Sequence, residues 1–190
     1  LILFVLRSLL DNVVRREVLD VLVLLVLIVL AGDCQLDGLS GLFDNLGSGR
    51  SHGSEGLGVV GLVIRLLRKY LCLFNLPLEI KSAGLIFMPA AGRWFQVVLA
   101  ASCRYLQGRE RGKSEFLEHA GERELLIACA SLIVVAFILF GLQGIFLIFL
   151  LGVISIMLIK FFEIRLGGVT GDVVGASSEL VEVFSLLLVL

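Results

Sequence analysis

Residues 125–159 form a run of 35 without a single charged side chain, closed by Glu124 at one end and Lys160 at the other. A helix on the surface of a soluble protein needs a polar face, and this run has none. One membrane crossing takes about 20 residues, so the run is too long for one and suits two short crossings joined by a tight turn. The GLQG sequence at 141–144 supplies that turn. Backbone polar groups inside hydrocarbon must pair within the segment, so the spanning form is helix. Composition agrees: 58% of residues are hydrophobic, 17% are charged and the mean hydropathy is +1.05, against about half apolar and a quarter charged in soluble domains.

The remaining apolar blocks predict a partial segment at 1–10 and spans near 18–32, 57–78, 83–102, 125–141, 144–160 and 179–190, the last of them cut short. The expected fold is an all-α, polytopic membrane helical bundle of about six to seven spans, forming one transmembrane domain over residues 1–190. Leucine stands first and no cleavable signal pattern follows it, so the chain reads as truncated at its N-terminus. Three polar loops interrupt the blocks, at 33–56, 103–124 and 161–178. Two crossings separate each loop from the next, which places all three on one face of the membrane. They carry Arg50, Arg104, Arg109, Arg111, Lys113, Arg123 and Arg165, with Lys160 at the border, while the opposite face has Lys81 and the early Arg7, Arg15 and Arg16. The positive-inside rule makes the three-loop face cytoplasmic.

A net charge of -1 gives no general attraction to nucleic acid. The four cysteines are scattered, without a CxxC pair or a nearby histidine pair, and read as small apolar fillers. His52 and His119 lie in different loops and read as solvated. Arg65, Arg68 and Lys69 fall inside one predicted span; a shifted or broken span accounts for them. Arg93, just after Pro89, sits midway along another span. At that depth an arginine either faces a cavity or snorkels to an interface.

The third loop holds RLGGVTGDVVGASSELVE at 165–182. Asp172 and Glu179 are seven residues apart and Glu182 is three further on, so a helix starting near Asp172 puts all three carboxylates on one face. That face suits a hard divalent cation, and the glycines beside it let a phosphate-bearing substrate approach the backbone. The plainer alternative is a close helix contact with the glutamates near the interface. In the first loop Asp37 and Asp44 repeat the spacing of seven on the same side of the membrane. Two acidic clusters brought together could bind one or two magnesium ions, neutralise a pyrophosphate and stabilise in-line phosphoryl transfer.

These residues resemble the cobalamin synthase family, the membrane-bound adenosylcobinamide-GDP ribazoletransferases. The family's C-terminal signature is matched by Arg165, Gly167, Gly168, Thr170, Gly171, Asp172, Gly175, Ala176, Glu179 and Glu182. Its acidic motif is matched by Asp37, Gly38 and Asp44, with Gln35 where the family has histidine and Gly41 where it has an aspartate. PAAGRWFQVV, with Pro89, Arg93 and Trp94, resembles a third segment. After the acidic loop the family's basic stretch is shortened here, leaving Gly58 and Gly61.

The resemblance implies a transfer in a bacterial or archaeal cytoplasmic membrane that needs Mg2+. Alpha-ribazole, or its 5'-phosphate, attacks adenosylcobinamide-GDP and GMP leaves. The implied metal ligands are Asp37, Asp44 and Asp172. Asp172, Glu179 and Glu182 are the candidate catalytic carboxylates, and Arg93, Arg165, Gly168, Thr170 and Gly171 the candidate substrate-binding residues. Partners would be the two substrates, the lipid bilayer, and a second copy or other cobamide-pathway enzymes, with no nucleic acid. The alternative is a degenerate homologue or membrane carrier without transferase activity.

Overall fold

The computed structural model describes residues 16–31, 55–103 and 121–190, apart from the side chains of 16, 17, 27–31, 55–59, 61, 62, 65 and 172. Six helices account for them: α1 Arg16–Ala31, α2 Glu55–Asn75, α3 Leu78–Ser102, α4 Glu122–Phe140, α5 Leu142–Leu166 and α6 Gly171–Val189. No strand occurs among the described residues, which are all-α.

The turns follow from the residues that stand in them. Pro77 has no N–H to continue α2 and instead caps α3, with its carbonyl accepting from Lys81 N at 2.9 Å. Gly141 separates α4 from α5 alone, at φ 60 and ψ -136, a backbone state glycine reaches without strain. The expected four-residue turn is thus one residue, and Gly144 already lies inside α5. There its Cα packs on the α4 backbone so tightly that an added Cβ would stand 2.3 Å from the Ala136 carbonyl oxygen.

Helix α3 is the centre of the bundle, packed on α6, α4 and, more lightly, α5. Its inner side carries Phe87, Ala91, Phe95 and Leu99, which meet Leu132 and Ala136 of α4, Leu151 of α5 and Ala176 and Val181 of α6. A second apolar cluster joins Val23 and Leu24 of α1, Cys72 and Leu73 of α2, Leu76 in the turn after it, Leu85 and Met88 of α3, and Leu186 of α6. The outer faces of α4 and α5 stay bare: Leu126, Ile138, Leu142, Phe149, Met157 and Ile164 are all exposed. An uncovered apolar surface of that extent on two adjacent helices suits lipid, not water.

Three helices are long and apolar enough to cross a membrane: α3, α4 and α5. The expected count of six to seven spans is not confirmed among the described residues. The reason is charge: α2 carries Arg65, Arg68 and Lys69, α6 carries Asp172, Glu179 and Glu182, and α1 is described over only 16 residues. The third polar loop also narrows, because α5 runs on to Leu166 and α6 starts at Gly171. The predicted segment at 1–10 and most of the other two loops lie outside the described residues.

Candidate functional site

The junction between α5 and α6 is built from the glycine-rich stretch. Gly167 ends α5 in the left-handed region at φ 73, with its N–H on Glu163 O at 3.0 Å, and Gly168 follows at φ 153. Side chains with a Cβ are disfavoured in both states, which is why two glycines stand together. Thr170 then caps α6, its hydroxyl oxygen accepting from Val173 N at 3.4 Å. Gly168 is buried and Thr170 and Gly171 half-buried, while Arg165 is exposed in the last turn of α5. Asp172 is the second residue of α6, so the helix does begin where a common carboxylate face requires it to.

Below this end α6 is buried along Val173, Val174, Gly175, Ala176, Ser177, Ser178 and Glu179. Small side chains at 175–178 let α6 lie close on α3. Ser177, Ser178 and Ser185 each turn a hydroxyl onto the carbonyl three residues earlier, at 3.0, 2.8 and 2.7 Å. Glu179 and Glu182 are nearly inaccessible, at 1% and 3% exposure. Between them stands Lys69 of α2, itself 1% exposed. Its ammonium pairs with Glu179 and donates to Glu182 Oε2 at 2.5 Å. Helix α3 closes the third side with Gly92, where an added Cβ would meet Glu182 Cγ and Oε1 at 2.7 Å. Opposite charges about 4 Å apart attract by about 4 kcal/mol at an effective dielectric of 20. A carboxylate left alone in such a place would face a desolvation penalty of several kcal/mol.

The predicted site residues are therefore separated as well as assembled. Glu179 and Glu182 come together, but Asp172 is seven residues up the same helix, about 10 Å along the axis at ~1.5 Å per residue. A shared face is not a shared site. Arg93 is exposed and donates to Gln96 Oε1 at 3.3 Å, on a different side of α3 from Gly92. It lines a shallow groove of about 260 Å³ between α3 and α4, with Ala90, Trp94, Ala128, Ser131 and Val135 among its walls. Trp94 Nε1 donates to Cys129 Sγ there at 3.3 Å. Cys72 and Cys103 are free and buried, in keeping with a packing role. Asp37 and Asp44, with Gln35, Gly41, His52 and His119, lie outside the described residues. Among the described residues no group of three or more His, Cys, Asp or Glu is arranged to hold a metal ion.

Sequence reasoning missed Lys69, grouping it with Arg65 and Arg68 as the sign of a shifted span. The signal was present: positions 69, 72 and 73 are the buried stripe of α2, continued by Leu76 just past its end, and Lys69 is the charged member of an otherwise apolar set. Lys81, counted as a surface charge, is also buried and donates to Asp20 Oδ2 of α1 at 2.7 Å.

The family described as cobalamin-5-phosphate synthase matches the chain over residues 1–190. Several proteins named adenosylcobinamide-GDP ribazoletransferase are similar to it. That of Desulforamulus reducens is 35% identical over 182 residues, covering 90% of this chain and 72% of its own. That of Geotalea daltonii is 33% identical, with 90% and 73% covered, and that of Acetivibrio thermocellus 30% identical, with 98% and 79% covered. No solved structure matches.

Proposed function

The chain belongs to the cobalamin-5-phosphate synthase family, and we propose that it is an adenosylcobinamide-GDP ribazoletransferase of the cytoplasmic membrane. The observation that carries this is the family match along the whole chain, together with relatives of that name at up to 35% identity. In the proposed reaction a ribose hydroxyl of alpha-ribazole, or a free ribose hydroxyl of its 5'-phosphate, bonds to the phosphorus that carries the cobinamide. The bond from that phosphorus to the bridging pyrophosphate oxygen breaks, GMP leaves with the oxygen, and the attacking hydroxyl gives up its proton.

The α5–α6 junction supports the binding half of this reading. A helix N-terminus presents unpaired N–H groups and a positive dipole end to an anion. Gly168, Thr170 and Gly171 lie at that end, and Arg165 stands one turn before it. Asp172 is the proposed catalytic carboxylate, with Glu179 and Glu182 completing the acidic face below it. Arg93 would reach substrate from the α3–α4 groove and not from the glutamate cluster. The proposed cofactor is Mg2+ held by Asp37, Asp44 and Asp172, where its charge would offset that of the pyrophosphate. The described glutamates do not fit that ion, because the Lys69 ammonium stands between them. The face bearing 103–124 and the α5–α6 junction is proposed as cytoplasmic from its arginines and lysines.

Purified protein in lipid, given adenosylcobinamide-GDP, alpha-ribazole and magnesium, is expected to release GMP. Asp172→Ala is expected to lower the rate at least a hundredfold. Turnover surviving that change would refute the role of Asp172. Nucleotide binding without GMP release would support the second reading, a degenerate homologue, which Gln35 and Gly41 favour.

A further inference from the structure

We infer that Lys69 is a positioning residue that serves as the built-in counter-cation shared by Glu179 and Glu182, so that these two carboxylates form a unit separate from the divalent-cation site. Three observations carry it. The ammonium of Lys69 is buried and pairs with both carboxylates at once. Glu182 packs against Gly92, where any side chain would collide with its Cγ and Oε1. Asp172 lies about 10 Å up the α6 axis from Glu179 and about 15 Å from Glu182, whereas magnesium–oxygen distances are about 2.0–2.1 Å. One ion cannot be shared across that span, and a second ion beside Lys69 would face a like charge at contact.

The consequence for the reaction concerns placement. Lys69 ties α2 to α6 at two points one turn apart, and α6 carries Asp172 and the Thr170 cap at its upper end. Holding Glu179 and Glu182 therefore sets how high α6 sits against α2 and α3. The assignment rests on the proposed magnesium site only where turnover is read, and cation binding can be measured without substrate.

The test uses the full chain in lipid nanodiscs, with Mn2+ as the probe and paramagnetic resonance counting bound ions. Glu179→Gln and Glu182→Gln are each expected to leave Mn2+ affinity within about threefold of the parent. Lys69→Ala, which empties the space between the two carboxylates, is expected to add one weakly bound Mn2+ per chain. Lys69→Arg is expected to keep transferase activity within about tenfold, with Lys69→Met at least a hundredfold down at saturating magnesium. A tenfold or greater loss of Mn2+ affinity in either glutamine variant would make the glutamates metal ligands and overturn the inference. Lys69→Met turning over like the parent would overturn it equally. If Lys69→Ala fails to fold, the glutamine variants decide the matter. Asp172→Ala leaving Mn2+ binding intact would instead refute the proposed metal site, a separate failure.

Discussion

Each buried charge among the described residues stands against an opposite one. Asp20 and Lys81 have 2% and 4% exposure, and each removes the other's penalty for leaving water. Lys81→Met would strand the Asp20 carboxylate among Leu19, Val23 and their neighbours, at a cost of about 3–5 kcal/mol. Adding Asp20→Leu to that variant is expected to recover most of the loss, because an apolar pair of similar volume often replaces a buried ion pair without penalty. Thermal unfolding of the two variants in detergent checks it. A single variant that melts like the parent would show that Asp20 is reached by water. These pairs explain what was hard to see in the sequence. The spacing of Asp172, Glu179 and Glu182 was legible because it lies within one helix. The partner Lys69 is 113 residues from Glu182; its spacing with Cys72 and Leu73 sets it apart from the exposed Arg68 beside it, but nothing in that spacing points to α6.

At the level of elements, glycine positions divide by what lies opposite them. Helix α5 contains Gly144 and Gly152, identical to propensity scales. Gly144 touches the Ala136 carbonyl, and Gly152 has open space where a Cβ would go. Gly144→Ala has to push α4 and α5 apart or bend one of them, and is expected to cost about 3 kcal/mol. Gly152→Ala is expected to be neutral or to stabilise by up to about 1 kcal/mol through helix propensity. Melting temperatures of the two single variants give the comparison, and an equal response from both would mean that the α4–α5 contact is loose. Helix placement was largely legible: the spans expected near 83–102, 125–141 and 144–160 correspond to α3, α4 and α5. The ends were not. Helix α5 keeps going through Lys160, Glu163 and Arg165 because those charges are exposed and cost nothing there, so a hydropathy boundary ends the apolar run but not the helix.

For the molecule as a whole, the question is which helices cross. Length and charge leave α3, α4 and α5 among the described residues. A charged side chain at mid-bilayer costs about 2.5–3.5 kcal/mol when it faces lipid. Lys69, Glu179 and Glu182 face one another instead, so the penalty that the two glutamates would bring to α6 is largely absent in the folded bundle, whereas Arg68 of α2 stays exposed. Helix α6 also lies against α3, which is long and apolar enough to cross, along much of its length. The expected arrangement therefore has α6 crossing as well, with the α3 and α5 starts on one side and the α5–α6 junction on the other. Single cysteines at exposed positions, in a background with the four native cysteines changed to alanine, read this out with a membrane-impermeant maleimide. Leu78→Cys and Leu142→Cys are expected to label from the same side, and Arg165→Cys from the opposite side. Leu190→Cys, at the far end of α6, is expected to label together with Leu142→Cys. Labelling together with Arg165→Cys would mean that α6 turns back within the bilayer, and the buried charges would then be reached from the junction side alone.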